Sequence, residues 1–163
     1  MNGWMRKTKE LKDDLLKNVL GTPYVGFVHI RRTDYVDIMN KDYKPGVFQG
    51  LHINSLIQRQ LTRHSNSVFL ILSDENDWCR ENIALGPKVL LADTKHMEEV
   101  AFALMVQCDF SIITYGSFGL WGGILNGGNM TRLFPKMEKD SPLSWRFQVV
   151  SQKQPNVEIV VYP

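Results

Sequence analysis

Short runs of apolar residues alternate along this chain with longer segments whose apolar positions recur every three or four residues. The runs at 25–30 (VGFVHI) and 67–72 (SVFLIL) are almost continuously apolar, which predicts strands buried on both faces. The runs at 88–91 and 110–114 predict two more strands, and 131–134 is a candidate fifth. Because helical segments separate these strands, we predict an α/β fold: a Rossmann-like parallel sheet with helices on both faces.

Five segments of the chain have the spacing of helices. The first carries apolar residues at helical intervals and ends at Gly21, with Pro23 just beyond. A further segment begins at Asp77, which is a candidate N-cap. The predicted helices are 4–20, 51–64, 77–83, 97–108 and 118–125.

The order of these elements predicts one domain over residues 1–163, with a leading helix in 1–22. Residues 42–50 (DYKPGVFQG) predict a loop. The segment 143–163 is harder to assign, since 157–162 is compatible with either a strand or a loosely packed tail.

Composition excludes several classes of protein. The chain has 163 residues, of which 44% are hydrophobic and 22% charged, as in folded domains. A net charge of +2 without a basic cluster predicts no nucleic-acid partner. No apolar run reaches the roughly 20 residues of a membrane span, and the polar N-terminal residues do not form a signal peptide. Cys79 and Cys108 predict neither a disulfide framework nor a metal site, whereas Asn129 begins a glycosylation sequon.

Three loops should meet at one edge of the predicted sheet. They are 29–35 after the first strand, 73–76 after the second and 115–117 after the fourth. Ligands of open parallel sheets bind outside the carboxyl ends of the strands. We therefore expect these loops to form one crevice.

Two adjacent arginines in the first loop predict an anionic ligand. The planar guanidinium fork of Arg31 or Arg32 matches a diphosphate, and Asp34 can hold one of the two in place. Surface ion pairs are the alternative. We expect Arg32 to contribute most to binding and not to be replaceable by lysine. Arg31 is the other candidate for this role. Adjacent residues of an extended segment point to opposite faces, so only one of the two arginines can face the ligand.

The third loop offers a second anion-binding feature. Ser117 precedes a predicted helix, whose free amides attract phosphate, and Gly116 allows close backbone approach. An ordinary N-cap at Ser117 is the alternative. Neither a GxGxxG nor a P-loop fingerprint is present.

Three long segments resemble the α-1,2-fucosyltransferase family (galactoside 2-α-L-fucosyltransferases) in order and spacing. They are VGFVHIRRTDYVDIM, ILSDENDWCRENI and FALMVQCDFSIITYGSFGLWGGILNGG. The resemblance implies the donor-binding half of a GT-B enzyme that transfers fucose from GDP-fucose to a galactose hydroxyl of a glycan, with α-1,2 linkage and inversion. It implies no metal and no cofactor beyond the donor, and a lumenal position at the Golgi membrane.

The resemblance also assigns roles to residues. Arg31 and Arg32 would hold the diphosphate and Asp34 would orient them, so that Arg32 and Asp34 act in catalysis. Ser117 would bind phosphate. His29 would contact nucleotide or ribose, unless it is a core histidine satisfied by backbone. Asp74 and Glu75 would bind the edges of guanine or ribose, unless they form a solvated turn.

The chain departs from the family pattern at Thr33, where glycine is usual, and at Ala101, where an aspartate is thought to face the guanine base. Only residues 1–24 precede the first segment, whereas the family carries an acceptor domain and a membrane anchor there. The alternatives are therefore an inactive GDP-binding or GDP-sugar-binding module and a structural remnant. Trp78, Cys79 and Trp121 are predicted to serve in packing.

Overall fold

The structure is a computed structural model that describes residues 3–42, 48–94, 97–135 and 156–162. Strands and helices alternate through most of this range. The strands are β1 (Tyr24–Ile30), β2 (Ser67–Ser73), β3 (Val89–Leu91), β4 (Phe110–Ile113), β5 (Asn129–Pro135) and β6 (Val157–Tyr162). The helices are α1 (Gly3–Leu16), α2 (Thr33–Asp42), α3 (Gly50–Arg63), α4 (Asn76–Asn82), α5 (Glu98–Val106) and α6 (Ser117–Asn126).

The six strands form one sheet in the order β3-β2-β1-β4-β5-β6. Every neighbouring pair is parallel, and β1 lies at the centre, with Gly26 opposite Phe69 of β2 and Phe110 of β4. Helical crossovers permit this parallel arrangement. The predicted Rossmann-like α/β fold is confirmed, and 157–162 belongs to the sheet as a strand.

Helices cover both faces of the sheet and produce two hydrophobic cores. Residues of α3 and α4, such as Ile57 and Cys79, pack on one face, and residues of α1, α5 and α6 pack on the other. Burial on both faces explains why β1 and β2 read as continuous apolar runs. On the second face α6 lies close to the sheet, because a side chain at Gly123 would come within 2.7 Å of Ile113 and Met130.

The helix boundaries differ from the sequence prediction in three places. Helix α1 ends at Leu16 rather than residue 20, and Leu20 is 91% exposed, so its apolar side chain anchors nothing there. Helix α2 was not predicted, because its sequence TDYVDIMNKD lacks a long apolar stripe, and its first three residues were assigned to the loop after the first strand. Asp77 lies in the first turn of α4, whose N-cap is Glu75. Residues 43–47 of the predicted loop and most of the segment 143–163 lie outside the described residues.

Candidate functional site

The strand order reverses direction at β1, since β2 lies on one side of it and β4 on the other. This is the switch point at which open parallel sheets bind ligands. A cavity of about 600 Å³ opens there, which is within the size range of small-molecule sites. Of the residues predicted to converge, the cavity is lined by His29, Arg31, Asp34, Asp74 and Ser117.

Arg31 lies in the cavity wall with its guanidinium held by two carboxylates. Its Nε donates to Asp34 Oδ1 at 2.9 Å, and its Nη1 lies 3.3 Å from Asp74 Oδ2. The hydrogen bond to Asp34 raises the pKa of Arg31, and the same contact lowers the pKa of Asp34. The side chain is 38% exposed, and no ion pair within the described ranges involves Nη2. Nη2 is therefore the guanidinium nitrogen that can still meet a ligand, beside an Nη1 group already paired with Asp74.

Arg32 points away from this cavity, contrary to the expectation that it lines the crevice. Its Nε donates to Glu75 Oε2 at 2.9 Å, its guanidinium lies 4.0 Å from the ring centroid of Trp78, and its side chain is 15% exposed. An ion pair and a cation–π contact thus hold it. Alternate residues after β1 point to opposite sides, so only one arginine faces the cavity. The catalytic role predicted for Arg32 stays a prediction.

Asp74 organises the arginine loop from the end of β2. Its carboxylate accepts hydrogen bonds from the backbone N–H groups of Arg32 (3.0 Å) and Thr33 (3.3 Å) and from the Thr33 hydroxyl. Ser73 adds a hydrogen bond to the carbonyl of Ile30 at 2.9 Å. These contacts fix the direction in which the chain leaves β1. A contact of Asp74 with guanine or ribose stays a prediction, and Glu75 is engaged by Arg32.

The N-terminus of α6 meets Arg31 across the cavity. Gly116 is the N-cap residue, with φ of 85°, a left-handed conformation that favours glycine. Ser117 is the first helical residue, so the alternative of an N-cap at Ser117 is wrong. An added side chain at Gly116 would lie 3.8 Å from Arg31 Cγ. A guanidinium and a helix N-terminus thus converge, and both favour anions.

His29 is a buried imidazole at the cavity wall. Its exposed fraction is 6%, its ring lies 5.7 Å from that of Phe118, and Nδ1 has no hydrogen-bond partner among the described residues. The reading of a core histidine satisfied by backbone does not fit this unpaired nitrogen. Burial lowers the pKa of His29 to about 4; Asp74 opposes this shift and Arg31 adds to it. The imidazole is therefore neutral at pH 7.

This pKa shift predicts that the protein loses stability in mild acid. The folded pKa of about 4 lies below the ordinary 6.5, so the unfolded chain binds more protons between these values. Stability must then fall as the pH falls through this window. We expect His29 to account for a loss of about 2 kcal/mol in the free energy of unfolding between pH 7 and pH 5. Urea unfolding at pH 7 and pH 5 measures this loss of stability. His29→Asn should remove the contribution of His29 to the pH dependence. An unchanged pH dependence in His29→Asn would contradict the assignment.

Sequence reasoning missed much of the cavity wall away from the arginine. Thr94, Glu98, Met105 and Phe118 line it beside Ala101, the one residue of this part that the family resemblance had singled out. The signal available in the sequence was spacing, because residues three or four apart on α5 share a face.

The other predicted residues divide between packing and exposure. Cys79 is buried, and Trp78 packs against Phe48, as predicted. Trp121 is 56% exposed, so its predicted packing role is wrong. Asn129 is exposed at the start of β5 while Thr131 is buried in the strand, and glycosylation stays a prediction.

Two searches of the described part of the chain were negative. Within it, no group of three or more His, Cys, Asp or Glu side chains is arranged to hold a metal ion. None of the helices in these ranges combines the length and hydropathy needed to cross a bilayer.

The fold and the switch-point cavity define a Rossmann-like α/β domain in which Arg31 and the N-terminus of α6 line a cavity at the centre of the sheet. The sequence pattern of glycosyl transferase family 11 matches residues 5–156. The chain belongs to this family. The resemblance inferred from the three motifs is confirmed.

Several galactoside alpha-(1,2)-fucosyltransferases are similar to this chain. Galactoside alpha-(1,2)-fucosyltransferase 2 of Mus musculus is 38% identical over 122 residues, which cover 73% of this chain and 35% of the relative. Galactoside 2-alpha-L-fucosyltransferase Sec1 of Mus musculus is 35% identical over 128 residues, which cover 77% of this chain and 34% of the relative. Galactoside alpha-(1,2)-fucosyltransferase 1 of Sus scrofa is 36% identical over 109 residues, which cover 65% of this chain and 30% of the relative. The chain thus spans about a third of the length of these relatives.

A solved structure shares the fold. The crystal structure of POFUT1 in complex with GDP superposes with a TM-score of 0.51 at 12% identity, covering 78% of this chain and 46% of that one. At this identity the similarity shows the fold alone.

Proposed function

We propose that this domain binds the donor GDP-fucose at the switch-point cavity. The observation that carries the proposal is the convergence of the Arg31 guanidinium and the N-terminus of α6 on one cavity in a chain of glycosyl transferase family 11. A guanidinium fork and free helix amides both suit a diphosphate. Ser117 would add its hydroxyl, and Asp34 would hold Arg31 in the required orientation.

The reaction we propose is transfer of fucose to a galactose hydroxyl of a glycan, in α-1,2 linkage with inversion. The bond between fucose C1 and the diphosphate oxygen breaks, and the acceptor oxygen bonds to C1 from the opposite face. GDP leaves with the negative charge of the broken bond, and the acceptor proton passes to a base. Arg31 and the dipole of α6 would stabilise the leaving charge without a metal. The names of the relatives support galactose as the acceptor, and we extend to this protein the lumenal Golgi position typical of the family.

A second candidate is a module that binds GDP or a GDP-sugar without transferring it. The observation that favours it is Ala101, a methyl side chain in the cavity wall where the family resemblance places a carboxylate. In this case the domain would retain the phosphate site and lack turnover.

A transfer assay decides between the two candidates. The full-length gene product is incubated with radiolabelled GDP-fucose and a disaccharide acceptor that ends in β-galactose, and labelled trisaccharide is separated from free donor. We expect transfer that Arg31→Ala abolishes. GDP binding without transfer would establish the second candidate, and absence of both binding and transfer would refute the two together.

A further inference from the structure

The switch-point cavity has two chemically different halves. One half carries Arg31 and the N-terminus of α6, which we assign to phosphate. The other half lies against α5 and contains Glu98, Ala101 and Met105. Phe118 connects the two, because its ring lies 5.7 Å from His29 of β1 and 5.4 Å from Phe102 of α5. When the diphosphate of a nucleotide occupies the first half, the second half is where its base can lie.

Glu98 is the charged side chain of this second half. It is the first residue of α5, it is exposed, and it makes no hydrogen bond or ion pair with any residue that the structure describes. Ala101 follows one turn later on the same face, and its methyl group leaves space beside the carboxylate. The remaining walls include the thioether of Met105 and the ring of Phe118, which is 38% exposed. The result is a slot with Thr94, Met105 and Phe118 in its walls and, at its rim, a carboxylate that has no partner among the described residues.

This combination matches one class of base. Apolar and aromatic walls suit the flat face of any base, so they do not discriminate. A carboxylate only accepts hydrogen bonds, and its two oxygens fit two adjacent donors. Guanine offers such a pair in N1–H and the N2 amino group. Adenine presents an acceptor at N1, and uracil flanks its N3–H with two carbonyl oxygens, so both would place a lone pair against the carboxylate.

We propose that Glu98 selects guanine in this protein by accepting hydrogen bonds from the N1–H group and the N2 amino group of the base. The proposal rests on the proposed function for the presence of a nucleotide donor. A site built to hydrogen-bond an N–H group rejects analogues that lack it, since its polar atoms are then left unpaired. Glu98 is therefore a specificity residue, while affinity for the diphosphate comes from the other half of the cavity.

The test is calorimetric titration of GDP, IDP and ADP into the wild-type protein, Glu98→Gln and Glu99→Gln. Glu99 is the matched control, because it is the adjacent exposed carboxylate of the same helix turn and does not line the cavity. Glu98→Gln should weaken GDP binding about tenfold to a hundredfold, since it loses one charge-assisted hydrogen bond and weakens the other. IDP lacks the N2 amino group, so it should bind the wild-type protein more weakly than GDP does. Glu98→Gln should also reduce the affinity for IDP less than the affinity for GDP.

ADP supplies a readout that a merely unstable variant could not mimic. Removing the carboxylate takes away repulsion of adenine N1 and of the phosphates, so Glu98→Gln should bind ADP as well as or better than wild type. Glu99→Gln should match wild type for all three nucleotides. Unchanged GDP affinity in Glu98→Gln, or equal losses in Glu98→Gln and Glu99→Gln, would overturn the assignment and leave the proposed function standing. If the wild-type protein bound no GDP, the proposed function would fail and this assignment with it.

Discussion

Replacing Arg31 by lysine is expected to weaken GDP binding by roughly tenfold to several hundredfold. Lysine keeps the positive charge but lacks the planar fork that meets two phosphate oxygens at once. It also cannot pair with Asp34 and Asp74 in the geometry that now holds the guanidinium. Each lost charge-assisted hydrogen bond contributes about 1.5–3 kcal/mol, which sets the expected range. Isothermal titration calorimetry with GDP measures the change.

Arg32→Lys is the matched control for this experiment. The guanidinium of Arg32 faces Glu75 and Trp78 rather than the cavity. Arg32→Lys should therefore lower GDP affinity less than Arg31→Lys does. It should instead lower stability, because lysine loses the stacking on Trp78. The sequence expectation assigned the larger effect to Arg32. A greater loss of GDP affinity in Arg32→Lys than in Arg31→Lys would show that the side-chain directions change when ligand binds and would contradict our assignment.

Gly119→Ala is expected to destabilise the protein by about 1–3 kcal/mol and to weaken GDP binding. A Cβ atom at residue 119 would lie 2.4 Å from His29 Nδ1 and 2.9 Å from His29 Cβ, closer than packed side chains approach. The direction of this change in stability is informative, because alanine in a helix interior ordinarily stabilises a protein by about 0.5–1 kcal/mol relative to glycine. The imidazole must move, and it lines the cavity. Urea unfolding and GDP titration of the variant measure the two effects.

A double-mutant cycle identifies the cause of this loss. His29→Ala removes the ring, whose nearest atom would lie 2.4 Å from the new methyl group, and leaves only the contact with Cβ at 2.9 Å, so in that background Gly119→Ala should cost less stability. The coupling between the two substitutions should therefore be favourable by about 1–3 kcal/mol. Additive effects of the two substitutions would contradict the contact. The cycle also keeps the prediction testable if Gly119→Ala alone is poorly folded.

The strands could be predicted from the sequence because each one is buried on both faces. Residues 25–30 and 67–72 carry almost only apolar side chains, and both coincide with strands to within one residue. The last strand was ambiguous for the opposite reason. β6 is an edge strand whose burial alternates, and Ile159 and Val161 are exposed, so its pattern is compatible with a tail. Helix α2 was missed because tertiary contacts of its first turn, rather than an apolar stripe, determine where it starts.

Part of the candidate site followed from the same reasoning. Three loops at strand ends were expected to meet, and the parallel sheet brings them together. Which arginine faces the cavity could not be predicted, because it depends on Glu75 and Trp78, which lie more than forty residues away in the chain. Glu98, in the half of the cavity against α5, was missed for a similar reason. Glu98 reads in sequence as one of two charged residues at a helix start, and only the fold distinguishes it from Glu99.

The central claim is that the switch-point cavity binds GDP through Arg31, and one titration tests it. GDP is titrated calorimetrically into the purified wild-type chain and into Arg31→Ala, with EDTA in the buffer to remove divalent metal. We predict saturable binding at a single site of the wild-type chain, reduced at least tenfold by Arg31→Ala. No binding to the wild-type chain, or equal affinity of the two proteins for GDP, would contradict the claim.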